Sequence, residues 1–196
     1  MSDIIVITNR SLCREDFLTR IEKIALARPT AIVLREKDMN EKEYKNLAAQ
    51  ALEICSKHGA RCILHSFPEA AAELNCSALH MPLYRLRLLS SEERASFKAL
   101  GASCHSVEDA KEAEKLGCTY ITAGHIFDTD CKKGLPGRGL AFLKEVCESV
   151  SIPVYAIGGI SADKVAPIKE SGAKGVCVMS GAMTCEDVQK YLGEFR

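Results

Sequence analysis

Two glycine-containing turns near the carboxyl end of the chain have the composition of an anion-binding site. Gly158-Gly159 follows one apolar run, and Ser180-Gly181 follows another that ends at Met179. Glycine lets backbone N–H groups approach an anion closely, and the amino end of a following helix adds a favourable dipole. Glycine is also common in tight strand–helix turns, but two such turns in succession favour a bound phosphate.

Charged and titratable side chains follow two further apolar runs. His125 comes directly after Gly124, and imidazole can accept and donate protons near neutral pH. Arg35 and Lys37 end an earlier run and share one face of it if the run is a strand. Since guanidinium binds carboxylate with two hydrogen bonds, Arg35 is a candidate carboxylate anchor and Lys37 a candidate anion contact. The alternative for all three is a structural hydrogen bond or salt bridge at the rim of the fold.

A repeating strand–helix pattern must position these residues. Short apolar runs predict strands at residues 4–8, 31–35, 61–65, 78–81, 102–104, 120–124, 154–157 and 175–179. Helical patterns separate them near residues 15–26, 41–58, 68–74, 91–98, 107–116, 139–149, 162–171 and 184–194. Strands that alternate with helices pair in parallel. The candidate residues therefore meet at the carboxyl edge of the sheet.

Eight such units predict an α/β protein, a TIM (β/α)₈ barrel whose single domain spans residues 1–196. The competing fold is an open doubly wound sheet, which usually has a glycine-rich turn after its first strand. Here that turn reads Asn9-Arg-Ser-Leu-Cys, without glycine. Barrels place active sites at the carboxyl ends of their strands and frequently hold a phosphate at the last two units. Both expectations agree with the positions of the glycine turns.

Composition narrows the classes of partner and compartment. The 26 basic residues equal the 26 acidic residues, so there is no electrostatic indication of nucleic acid or an anionic membrane as a partner. The first apolar run is too short for a signal peptide or a membrane span. Ten cysteines without C-x-x-C spacing indicate reduced thiols and no metal site. We expect a soluble cytoplasmic protein, and a homo-oligomer is compatible with this sequence.

Three segments together resemble the thiamine phosphate synthase superfamily of barrels. They are LREKD at residues 34–38, YITAGHIFDT at 120–129, and PVYAIGGI at 153–160 continuing to VCVMSG at 176–181. The resemblance covers essentially the whole chain, with all eight units in order. Within the superfamily the chain looks most like the TenI-type thiazole tautomerases, because GHIFDTDCKKG at residues 124–134 is close to the loop of that branch.

Several positions depart from the pattern of the synthases in this superfamily. Synthases usually have proline where His125 stands and glutamine where this chain has Val33. The synthases also resemble one another in an Asn-Asp pair that ends strand three, where this chain reads His65-Ser66. After strand four they have an acidic magnesium ligand, where this chain reads HMPLY from His80. Magnesium beside a pyrophosphate prefers carboxylate oxygens. The departures therefore predict that the chain does not release pyrophosphate.

The resemblance implies an isomerase of thiamine biosynthesis, a thiazole tautomerase that aromatises a thiazole carboxylate ethyl phosphate. His125 would be its acid–base group, with no cofactor and no metal. The implied partner is a small phosphorylated thiazole, with no nucleic acid and no membrane. The implied substrate contacts are Arg35, Lys37, Ser103, Thr129, Cys131, Lys132, Gly158, Gly159, Met179, Ser180 and Gly181.

Two other functions remain open at this stage. One is a thiamine phosphate synthase that joins a pyrimidine pyrophosphate to a thiazole phosphate with unusual ligands. The other is a non-catalytic sensor or regulatory protein that binds a phosphorylated ligand on the same barrel, because a fold does not determine an activity. Formation of an aromatic thiazole would identify the tautomerase, and coupling of the two substrates would identify the synthase. Ligand binding without either product would identify the sensor.

Overall fold

Eight parallel strands close into a barrel in the order β1 to β8, which confirms the predicted TIM (β/α)₈ fold. The computed structural model describes residues 3–132 and 134–196, and at Cys131 the backbone alone. The strands are β1 Asp3–Ile7, β2 Ala31–Leu34, β3 Cys62–His65, β4 Ala78–Pro82, β5 Ala99–Cys104, β6 Tyr120–Gly124, β7 Val154–Ile157 and β8 Gly175–Val178. Each strand lies within about three residues of its predicted position.

Ten α-helices among the described residues cover the outside of the barrel and its connections. They are α1 Phe17–Leu26, α2 Glu41–Lys57, α3 Pro68–Glu73, α4 Leu83–Leu86, α5 Ser91–Ala95, α6 Val107–Lys115, α7 Gly139–Ser149, α8 Val165–Glu170, α9 Ser180–Thr184 and α10 Val188–Gly193. Capping explains where several of them begin. In α2 the Asn40 side chain accepts from the Glu43 N–H while the Glu43 side chain accepts from the Asn40 N–H, so two unpaired donors are satisfied at once.

The last helical segment differs from the prediction. Residues 184–194 were expected to form one helix, but α9 ends at Thr184 and α10 begins at Val188. The chain is extended at Cys185, and the Asp187 side chain then caps α10 by accepting from the Lys190 N–H. A second cap within the segment starts a new helix, and α9 is left as a short turn directly after β8.

Alternating strand positions form a small apolar cluster inside the barrel, separate from the larger core between strands and helices. Its buried members are Ile5, Ile7, Ala31, Val33, Ile63, Tyr120, Tyr155 and Cys177. The Tyr120 ring occupies the space beside Gly101, where a Cβ atom would lie 2.2 Å from Cζ of Tyr120. Glycine at position 101 therefore makes room for an aromatic ring in the lumen.

A buried tyrosine on α2 joins the carboxyl ends of β2 and β3. The Tyr44 hydroxyl donates to the Leu34 carbonyl oxygen at 2.6 Å and accepts from the His65 N–H at 2.7 Å. Its ring also stacks on Phe67, with centroids 4.4 Å apart. Because backbone groups buried without partners are costly, this hydroxyl holds the two strand ends at a fixed separation.

Replacing this tyrosine by phenylalanine tests the bridge. Tyr44→Phe leaves the Leu34 carbonyl and the His65 N–H without this partner, and we expect the free energy of unfolding to fall by about 1–3 kcal/mol. Urea denaturation at pH 7 measures the change. The matched control is Tyr84→Phe, since Tyr84 is 66% exposed and its substitution should change stability by less than about 0.5 kcal/mol. Equal effects of the two substitutions would contradict the bridging role.

In the part of the chain that the structure describes, no helix combines the length and the apolar composition that crossing a bilayer requires.

Candidate functional site

A cavity of about 810 Å³ opens at the carboxyl ends of the strands and is lined by residues from every strand or its following loop. A volume of this size suits small-molecule ligands. The cavity brings together these residues from the sequence analysis: Arg35, Lys37, Ser103, His125, Thr129, Lys132, Gly158, Gly159, Met179, Ser180 and Gly181. The side chain of Cys131, the remaining predicted contact, lies outside the described part.

The turn after β7 needs glycine for its backbone conformation and for packing. Gly158 and Gly159 have φ values of +98° and +64°, in the region that side chains disfavour. A Cβ on Gly158 would lie 2.3 Å from Cβ of His125, and one on Gly159 would lie 2.4 Å from the Asp128 carbonyl oxygen. The turn is therefore packed directly against the loop after β6, a contact that the sequence analysis did not anticipate.

Lys164 links the same two segments from outside the turn. Its Nζ donates to the Gly159 carbonyl oxygen at 2.7 Å and lies 4.5 Å from the centroid of the Phe127 ring. The ammonium group thus makes a hydrogen bond to one segment and a cation–π contact with the other. Both interactions hold the glycine turn against the β6 loop.

Positive charge is concentrated where β2 and the loop after β6 meet the cavity. The positive charge of Arg35 is the main cause that lowers the pKa of Lys37, followed by partial burial and by Lys132. Like charges disfavour an ionised lysine only when they lie near it, and all three side chains line the same cavity. These three side chains therefore form a cationic wall, and an anion that binds there relieves their mutual repulsion.

A buried carboxylate, that of Glu36, lies next to the cationic wall and connects the ends of β1 and β2. Glu36 is 3% exposed; its Oε1 accepts from the Thr8 hydroxyl at 2.7 Å, and its Oε2 accepts from the Arg10 N–H at 2.9 Å. The Thr8 hydroxyl oxygen also accepts from the Arg35 N–H at 2.9 Å. Burial raises the pKa of Glu36 despite these hydrogen bonds. Glu36 therefore joins the ends of β1 and β2 and leaves both its oxygens engaged.

Two buried histidines form the floor of the cavity. The rings of His65 and His80 are stacked, with centroids 5.8 Å apart. His80 pairs through Nδ1 with the Tyr120 hydroxyl and through Nε2 with the Ser103 hydroxyl, both at 2.9 Å. Nδ1 of His65 lies 2.8 Å from the Ser66 hydroxyl. Strand alternation could have indicated that both rings face inward, but the sequence analysis considered them only as replacements for acidic residues.

Burial sets the charge of this floor. Burial is the main cause that lowers the pKa of His65 well below its ordinary value, and His80 and nearby cations add to the effect. Burial also lowers the pKa of His80 to about 4, and Arg35 contributes further. Both imidazoles are therefore neutral at pH 7, so the floor is polar and uncharged beneath a positive wall.

His125 lies at the mouth of the cavity but is bonded to its own loop. Its Nε2 donates to the Leu135 carbonyl oxygen at 3.1 Å. His105 is exposed but also lines the cavity, and its Nδ1 donates to the Gly124 carbonyl oxygen at 2.8 Å. The first hydrogen bond connects His125 to a later part of its own loop, and the second connects the loop after β5 to the end of β6.

The oxygen donors of the cavity do not suit a magnesium ion. Its described carboxylates are Glu36, whose oxygens are engaged, and Asp109, whose Oδ2 accepts from the His105 N–H at 2.8 Å. Across residues 3–132 and 134–196, no three His, Cys, Asp or Glu side chains are grouped as metal ligands. Magnesium prefers oxygen ligands in near-octahedral geometry, and neither His65 nor His80 supplies them.

Comparison with known proteins places this barrel in a family. Residues 4–182 match the family described as thiamine monophosphate synthase. The chain belongs to this family. A thiamine-phosphate synthase of Desulfitobacterium hafniense is 34% identical over 189 residues, which cover 93% of this chain and 89% of that protein. A thiamine-phosphate synthase of Clostridium tetani is 31% identical over 195 residues, with coverages of 96% and 91%.

A solved structure agrees with this membership of the thiamine monophosphate synthase family. Thiamine phosphate pyrophosphorylase from Pyrococcus furiosus superposes on this chain with a TM-score of 0.83 at 28% sequence identity. The superposition covers 99% of this chain and 93% of that one. The resemblance to the superfamily that the sequence motifs indicated is thereby confirmed over the whole barrel.

The prediction of a thiazole tautomerase is wrong. Relatives at 34% and 31% identity over nearly the whole chain are named thiamine-phosphate synthases. The prediction depended on His125 as an acid–base group, whereas the ring donates to Leu135 of its own loop. It also took the missing magnesium carboxylates to exclude pyrophosphate. Missing carboxylates do not by themselves exclude a pyrophosphate, because cationic side chains can also bind an anion.

The neutral floor predicts a pH dependence of stability. The unfolded chain protonates His80 near the ordinary value of 6.5, whereas the folded protein does so only near pH 4. As pH falls through this window the unfolded state binds more protons, so His80 costs the folded state about 2 kcal/mol by pH 5. Asparagine does not titrate there.

The measurement compares urea unfolding of the wild type with His80→Asn at pH 7 and pH 5. Any loss of packing affects the variant at both pH values. We therefore expect the stability advantage of the wild type over the variant to shrink by about 2 kcal/mol from pH 7 to pH 5. An advantage that stays constant between the two pH values would contradict the depressed pKa of His80.

Proposed function

We propose that this chain is a thiamine-phosphate synthase, a transferase that joins a pyrimidine pyrophosphate to a thiazole phosphate and releases pyrophosphate. The observation that carries the proposal is the relationship to synthases at 34% and 31% identity over at least 93% of the chain. Family membership also makes an enzyme of thiamine biosynthesis a better interpretation than a non-catalytic sensor.

The geometry of the cavity supports two phosphorylated substrates. The turns that contain Gly159 and Gly181 line the cavity, and the cationic wall formed by Arg35, Lys37 and Lys132 lines it as well and offers a second place for an anion. Backbone amides suit a single phosphate group, and converging cations suit the greater charge of a pyrophosphate. In this proposal the thiazole phosphate occupies the turns and the pyrophosphate faces the wall.

The cationic wall also has a chemical role in this proposal. As the bond between the pyrimidine and its pyrophosphate breaks and the bond to the thiazole forms, negative charge develops on the departing pyrophosphate. Fixed positive charges aimed at that group stabilise the transition state more than the ground state. Thr129 and Ser103 also line the cavity and are the proposed contacts with the rings.

His125 becomes a positioning residue in this function. Its hydrogen bond to Leu135 and the packing of Gly158 against its Cβ connect the β6 loop to the glycine turn. The loop contains a 3₁₀ helix, Asp130–Lys132, which ends at one of the three wall cations. His125 thus helps to place Lys132 rather than to move protons.

Direct assay of the coupling reaction tests the proposal. The purified protein is incubated with the pyrimidine pyrophosphate and the thiazole phosphate, and chromatography detects thiamine phosphate. We expect product that accumulates with time and with protein concentration. Binding of both compounds without product would instead favour the non-catalytic interpretation, because a sensor needs only the anion-binding parts of the cavity.

A negative charge at the second glycine turn tests the position of the thiazole phosphate. Ser180→Asp places a carboxylate where this phosphate is proposed to bind, and we expect its KM to rise at least about tenfold, since roughly 1.4 kcal/mol of repulsion is sufficient. The KM of the pyrimidine substrate should change by less than about threefold, because its pyrophosphate lies at the other wall. Steady-state kinetics with each substrate varied in turn measures both constants.

The matched control is Ser91→Asp, which adds the same charge at the first residue of α5 and outside the cavity lining. Unchanged constants are expected for it. Equal increases in both KM values for Ser180→Asp would contradict a separate phosphate position at this turn.

A further inference from the structure

We propose that this chain holds the pyrophosphate group with side-chain cations alone and needs no divalent metal ion to bind it. The inference rests on the proposed function, because it concerns the same substrate group. It goes beyond that function in assigning how the charge of the group is neutralised. The observations that carry it are the donor atoms of the cavity floor and the arrangement of charges above it.

The floor presents imidazole groups at the two strand ends that carry acidic residues in the synthase pattern. His65 ends β3 and His80 lies within β4, and both rings are buried against each other. Both nitrogens of His80 are already bonded, to Tyr120 and Ser103. A hard cation such as magnesium prefers oxygen ligands, so this floor offers it no replacement for the missing carboxylates.

The carboxylates in and beside the cavity already have hydrogen-bond or ion-pair partners. Glu36 accepts from the Thr8 hydroxyl and the Arg10 N–H, and Asp109 accepts from the His105 N–H. Asp38, at the rim beside the wall, pairs with the Arg10 guanidinium at 2.6 Å. Recruiting Glu36 or Asp109 to a metal ion would compete with hydrogen bonds that hold strand ends or a helix start, and recruiting Asp38 would compete with its ion pair to Arg10.

The wall already supplies the charge that a metal ion would otherwise bring. Arg35 and Lys37, which follow β2, and Lys132, in the loop after β6, all line the cavity. Their mutual repulsion, which lowers the pKa of Lys37, would be increased by a dication placed among them. An incoming pyrophosphate instead relieves it, and multiple charge-assisted hydrogen bonds can then form.

Calorimetric titration with inorganic pyrophosphate tests the inference without turnover. The wild-type protein is titrated once in buffer with EDTA and once with excess Mg²⁺. We expect binding in EDTA, with dissociation constants that agree within about threefold between the two conditions. Binding in Mg²⁺ but not in EDTA would overturn this inference and leave the synthase proposal intact. Absence of binding in both conditions would overturn the pyrophosphate position itself.

Lys37→Gln identifies the source of the binding energy. Loss of one charge-assisted hydrogen bond should weaken pyrophosphate binding in EDTA by about tenfold or more, and Mg²⁺ should not restore it. The matched control is Lys98→Gln, because Lys98 is exposed and precedes β5 at the opposite end of the barrel. Two results would contradict binding by the wall cations. One is recovery of the pyrophosphate affinity of Lys37→Gln when Mg²⁺ is added, and the other is an equal loss of affinity in Lys98→Gln.

Discussion

Pairing between β1 and β8 closes the barrel, and the arrangement of the cavity depends on this contact. Asp3 aligns with Gly175 at the start of the two strands, where a Cβ on Gly175 would lie 2.1 Å from the Asp3 carbonyl oxygen. Without closure, β2 and β8 would lie near opposite edges of an open sheet. With it, only β1 separates the cations of β2 from the turn after β8. Closure therefore determines that the β2 cations and the turn after β8, both proposed to bind anions, line one cavity.

Within the closed barrel, the polarity and charge of the lining change along the barrel axis. The lumen is apolar at its base, then polar and neutral at His65 and His80, and positive at Arg35 and Lys37. The negative charge of Glu36 is directed into the β1–β2 connection, where it accepts from Thr8 and the Arg10 N–H. A carboxylate buried in this way organises the backbone at the ends of β1 and β2, next to the cations.

Much of this arrangement follows from the sequence because strand periodicity and glycine turns are local signals. The eight strands, the barrel, and the convergence of Arg35, Lys37 and the glycine turns were all predictable. The Tyr44 bridge was not, because it joins α2 to two strand ends through one hydroxyl. The orientation of the His125 ring towards Leu135 was also beyond reach, since it depends on how a loop folds back on itself. The prediction of function was wrong because the His125 motif was interpreted without knowledge of its hydrogen-bond partner.

The ammonium of Lys164 couples the glycine turn after β7 to the β6 loop. It holds the Gly159 carbonyl and the Phe127 ring together, and Gly159 itself packs against the Asp128 carbonyl. A ligand that immobilises the turn therefore restricts the loop as well, and the conformational entropy of the loop is lost only once. In the proposed reaction, a phosphate held at the turn would thus also order the loop that carries Lys132.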